Sequence, residues 1–109
     1  MSRTLTLAMG GQSYGPTKVA STNANQALPA AVLTNASRSA VRVVITVEDN
    51  TIRYAFGGII PTQGTLGHLL TANESLVIGH PASIASFRFI SDAANTHGNL
   101  QITGEYGTI

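Results

Sequence analysis

The chain contains no cysteine and no tryptophan, and only 10% of its 109 residues are charged. Without thiols it can hold neither a disulfide framework nor a thiolate metal site. No apolar run approaches the ~18 residues of a membrane-spanning helix. The patch from Leu5 to Met9, broken by Thr6, falls short of the ~7–15 continuous apolar residues of a cleaved signal. These absences predict a protein made in a cytoplasm, with no membrane partner. The six basic residues (Arg3, Lys18, Arg38, Arg42, Arg53 and Arg88) are scattered, and the formal net charge is +1. Affinity for nucleic acid comes mainly from clustered phosphate neutralisation, so nucleic acid is not an expected partner.

The length fits one domain, which buries roughly two-thirds of its unfolded surface and needs no staples. Its polar positions are mostly Thr, Ser, Asn and Gln, which cost less to desolvate than Lys or Glu. Interface cores are depleted in charge. Two readings follow: a small domain with a neutral polar surface, or a subunit that spends its life against other subunits.

Alternation with period two marks most apolar stretches, as in strands whose side chains point to opposite faces in turn. Val41, Val43, Ile45 and Val47 share one face. Glu48-Asp49-Asn50 interrupts them with turn-favouring residues, and Ile52, Tyr54 and Phe56 resume the pattern. The spacing predicts an antiparallel hairpin from Val41 to Gly58 at the centre of the domain. Ala27 to Leu33 reads as a short extended segment, because Pro29 disfavours helix at Leu28; a single helical turn is the rival. Ile59 to Leu70 reads as a long Gly-containing connection with Leu66, Leu69 and Leu70 tucked under it. Ser75 to Ile78, Ile84 to Ile90 and Asn99 to Tyr106 read as further strands. In the second of these Ala85, Phe87 and Phe89 share a face. The expected core combines Val43, Ile45, Tyr54, Phe56, Phe87, Phe89, Leu100 and Ile102.

The N-terminal quarter differs. Thr4 to Met9 alternates, with Leu5, Leu7 and Met9 on one face, and Gly10-Gly11 ends it. From Gln12 to Gln26 the composition turns polar, with Val19 as the only large aliphatic, so this stretch cannot build a core by itself. Residues 1–26 are therefore read as an N-terminal arm, or a first strand plus linker, and residues 27–109 as the body. The fold expected is all-β: a single antiparallel β-sandwich, jelly-roll-like, of about seven or eight short strands with that arm. Arg3, Leu5, Leu7, Met9, Tyr14 and Lys18 are the candidate partner-interface residues.

Little in the sequence points to catalysis. No metal-pair spacing joins His68, His80 and His97. No G-x-S-x-G elbow singles out a serine, and nothing favours any pair among Glu48, Asp49, Glu74, Asp92 and Glu105 for hydrolytic work. No enzyme activity and no cofactor or metal is expected.

A resemblance supplies the functional expectation. Leu28-Pro29-Ala30, the run Tyr54 to Gly58, Leu70 to Glu74, and Phe89-Ile90-Ser91 resemble, in order, phrases of small β-sandwich structural proteins of tailed bacteriophages. Asn73 stands where that pattern has glycine, and asparagine tolerates the same left-handed backbone. Residues 1–26 do not match. The resemblance implies a virion protein, foremost a capsid decoration (cement) protein that bridges major capsid subunits at the capsid surface as a homotrimer. The runner-up is a tail, collar or head-fibre component. A carbohydrate-binding module is the third alternative, with Tyr14 and Tyr106 as the plausible exposed stackers.

Overall fold

The computed structural model describes residues 12–35 and 38–107, without the side chains of Gln12 and Tyr14. In chain order the elements are strands β1 (Gln12–Ala20) and β2 (Gln26–Ala27), helix α1 (Ala30–Leu33), and strands β3 (Thr34–Asn35), β4 (Arg38–Val47) and β5 (Ile52–Ala55). Strands β6 (His68–Leu70) and β7 (Ser75–Ile78), helix α2 (Pro81–Ser86), and strands β8 (Arg88–Ser91) and β9 (Asn99–Tyr106) complete the described chain. They form two antiparallel sheets, one of which curls into a half-barrel. The first runs β1-β9-β4, with β7 and β3 both on the far edge of β4; the second runs β2-β8-β5-β6. The expected all-β class holds at that level.

The inner faces follow directly from alternation. Leu100, Ile102 and Tyr106 are buried on β9, with Gln101, Thr103 and Glu105 on the opposite face. Val43, Ile45 and Val47 are fully buried on β4, and Phe87 and Phe89 are fully buried across from them. Phe87 stacks on Tyr54 at a ring separation of 5.6 Å and meets Phe56 and Phe89 at 5.6 and 5.9 Å. Tyr54 and Phe56 are half-buried at the rim of this aromatic cluster rather than inside it. Tyr106 closes the other side, donating its hydroxyl proton to the Val32 carbonyl at 2.6 Å.

The largest correction concerns the hairpin. β4 and β5 do not pair: β4 lies between β9 and β7 in one sheet, and β5 between β8 and β6 in the other. Residues 48–51 form a crossing between sheets. Alternation cannot separate the two cases, because a chain that folds over onto a facing sheet also keeps one apolar face inward. The crossing is held by side chains. Asp49 accepts from the backbone and side-chain amides of Asn99 at 2.8 and 2.9 Å, and these bonds hold its carboxyl below the usual carboxylate range. Asn50 donates to the His97 carbonyl at 3.0 Å. Gly98 lies so close to the Asn50 carbonyl that a Cβ there would collide with it.

Further corrections have local causes. Gln12–Ala20, expected within an arm or linker, is a strand of this chain's own sheet, paired with β9 from Gln12↔Tyr106 to Ala20↔Asn99. An edge strand needs only one modestly apolar face, and half-buried Val19 suffices beside Leu100. The register shifts between Tyr14 and Thr17, around the cis Gly15-Pro16 peptide. Val41 points outward, 42% exposed, because a bulge between Ala40 and Arg42 turns Ala40 inward in its place. Ala30–Leu33 takes the helical turn, not the extended form. Ile84 to Ser86 is helical, since Pro81 occupies the first turn and His80 Nδ1 accepts from the Ala82 amide. Asn73 does adopt the left-handed backbone (φ 68°) at its turn. There the Glu74 carboxylate accepts from the Thr71 amide at 2.7 Å, which lowers its pKa.

Phe87 is the centre of the aromatic cluster, so truncation to alanine should cost about 3–5 kcal/mol, read from the shift of a urea unfolding midpoint. A loss below about 1 kcal/mol would place the ring outside the core.

Candidate functional site

Of the expected interface residues, Arg3, Leu5, Leu7 and Met9 lie outside the described residues. Tyr14 is described through its backbone alone, paired with Gly104. Lys18 is exposed on β1, and its ammonium sits 3.4 Å from the Glu48 carboxylate, so its charge is matched within the chain.

One cluster has the residue types of acyl-transfer chemistry. Ser21 Oγ lies 2.7 Å from Ser91 Oγ, which lies 2.8 Å from His97 Nδ1, and the Gly98 amide donates to Ser21 Oγ at 2.8 Å. Both serines are fully buried. A nucleophile needs room for a carbonyl carbon about 3 Å away, and neither hydroxyl has it. The cluster instead satisfies buried polar groups where the two sheets meet, joining the end of β1 to the end of β8. The other histidines stand apart, His68 on β6 against Tyr54 and His80 at the start of α2. Among the described residues no three His, Cys, Asp or Glu side chains gather as a metal set.

The feature that sequence reasoning missed lies on the connection from β5 to β6. Leu66 and Leu69, expected beneath the loop, are 48% and 50% exposed, and Ile59 and Ile60 are similarly open. Of the three leucines expected there only Leu70 is buried, and Pro61 takes the other buried place. Thr62 and Leu66 bridge to each other: the Thr62 amide donates to the Leu66 carbonyl at 2.9 Å, and the Leu66 amide donates to Thr62 Oγ1 at 3.1 Å. This small closed turn holds Leu66 out from the sheet. Arg53 anchors it from below, donating from Nε to the Asp92 carboxylate at 2.5 Å and from a terminal guanidinium nitrogen to the Gly67 carbonyl at 3.0 Å. Gly67 is needed at that point. Its φ is +123°, and a Cβ would press on Arg53, the Tyr54 carbonyl and Pro61 at 3.1–3.2 Å.

Between loop and sheet runs a groove of about 480 Å³, lined by Phe56, Ile59, Thr65, Leu66 and His68 with Ala55 and Gly67. Among the described residues no Lys, Arg, Asp or Glu side chain lines it. Its aromatic rings are committed to one another: Tyr54 packs edge-on against Phe56 at 5.7 Å and against His68 at 5.4 Å. That leaves a contact surface of mixed apolar and neutral polar character rather than a flat platform for a sugar. The signal in the sequence was the run of aliphatics Ile59, Ile60, Leu66 and Leu69 in a loop, more than a loop needs for its own packing. Comparison with protein-family models, curated proteins and solved structures finds no match to the chain.

Removing the Arg53 side chain unties the loop at Gly67 from β5 and from Asp92, which follows β8. Arg53→Ala is expected to lower stability by about 1–3 kcal/mol and to speed proteolytic cleavage between residues 57 and 67. Unchanged melting and cleavage would show that the loop holds its shape without this clamp.

Proposed function

We propose that this protein is a virion structural protein, a capsid decoration protein that works by burying surface against major capsid subunits and against its own copies. Its two sheets are read as a β-sandwich of jelly-roll type, assembled as a homotrimer at the capsid surface. The observation that carries the reading is this loop and its groove: Ile59, Ile60, Leu66 and Leu69 stand about half exposed on one loop and edge strand, Ile59 and Leu66 line the groove, and among the described residues no Lys, Arg, Asp or Glu side chain lines it. Exposed aliphatics grouped in this way mark a contact surface. The resemblance to small phage structural proteins gives the class of partner. The full burial of the Ser21 and Ser91 hydroxyls speaks against a hydrolytic role for them. A protein that binds only the assembled shell stabilises it by mass action, which requires no chemistry at all.

Co-sedimentation with virus particles lacking the protein tests this. Saturable binding to heads, with heads made more resistant to heat or chelator, is the expected result. Binding to tails alone would assign the protein to the tail, collar or fibre alternative, and binding to neither would refute a virion role.

A further inference from the structure

The groove and the N-terminal strip match each other in chemistry. As an extended strand, Thr4 to Met9 would put Leu5, Leu7 and Met9 on one face, and the sequence carries no charge between Thr4 and Gly11. The groove offers Phe56, Ile59 and Leu66, with no Lys, Arg, Asp or Glu among the described residues that line it. Beside it, β6 pairs with β5 on one edge, and among the described residues no strand pairs with its other edge. An isolated strand is not stable in water, and an open edge presents unpaired backbone groups. Adding the strip to β6 would satisfy both sets of backbone groups and cover the aliphatics in one step. We propose that residues Thr4–Met9 of a second copy of this chain occupy the groove as an added strand.

The choice of a second copy follows from reach. Gln12 opens β1, on the far side of the first sheet from β7 and β3, with β9 and β4 between. Three strand spacings give roughly 14 Å across that sheet, and the groove belongs to the other sheet, roughly 10 Å away. The short turn from Leu70 to Ser75 keeps β6 beside the β7 edge, so the direct path is roughly 17 Å. Met9 is three residues before Gln12 and reaches no more than about 10 Å from it. A chain's own Leu5 can reach its groove, but the whole strip cannot lie in it. A strip handed to the next copy is a heterologous contact, and such contacts close into a ring when the rotation permits. The inference rests on the homo-oligomer in the proposed function and not on the virion; crosslinking without particle binding would remove only the virion.

The absence of cysteine makes the test direct. Full-length Leu7→Cys and Leu66→Cys variants are co-expressed and oxidised, with Leu7→Cys and Ala94→Cys as the control pair, Ala94 being exposed on the loop after β8. The expected product is a disulfide-linked dimer whose joined peptides contain positions 7 and 66, in large excess over any product joining 7 and 94. Three results would overturn the proposal: equal capture by both pairs, no joined 7–66 peptide, or a Leu7→Cys/Leu66→Cys double variant that closes only within one chain. Leu66 is half exposed, so its replacement leaves the core intact and the readout interpretable.

Discussion

The structure depends on the crossing between Val47 and Ile52. Both residues are fully buried, yet they belong to different sheets, so the four residues between them must turn the chain over the end of the core without leaving polar groups stranded. Asp49 and Asn50 do this by bonding to the start of β9 and the loop before it, and the Asp92 amide adds a bond to the Thr51 carbonyl at 3.2 Å. The turn before β7 is tied to the same place, with the Asn73 amide on the Val47 carbonyl at 2.6 Å. Strand order in both sheets follows from this end: β4 is free to take β9 and β7 as neighbours, and β5 to take β8 and β6.

What the other end carries is a consequence of that arrangement. β5 arrives with Arg53 directed toward Asp92 and Gly67, so the long loop to β6 is clamped at its base while its aliphatic residues stand clear. Polar bonding is concentrated where sheets are joined, and the apolar excess is concentrated where nothing in the described chain covers it. Such a division suits a protein whose work is contact. Binding at this surface would gain from aliphatic burial at roughly 25 cal/mol per Å², with little charge to desolvate.

Much of the fold was legible where one rule governs. The alternation of Asn99 to Tyr106 and the inward Phe87 and Phe89 read directly from period two, because both strands have one dry face and one wet one. The hairpin was misread because period two reports a buried face and not a partner; β4 and β5 keep the same pattern whether they pair or cross. Gln12–Ala20 was hidden by composition, since an edge strand draws its stability from β9 rather than from its own side chains. Helix α2 was hidden by Phe87 and Phe89, whose strand periodicity extends backward over Ala85 by coincidence. The candidate site was the least legible part. Leu66 and Leu69 look like core residues in sequence, and only the Thr62–Leu66 bridge and the Arg53 clamp show why they are not.

The self-association surface proposed for this protein is the groove beside β6. Sedimentation equilibrium of the wild-type protein and of Leu66→Asp, each checked for an unchanged urea midpoint, tests it most directly. An oligomeric wild type and a variant of monomer mass with the same unfolding behaviour are expected, because a carboxylate buried in such a contact must be desolvated without a partner. A wild type of monomer mass, or a variant that associates as well as the wild type, would contradict it.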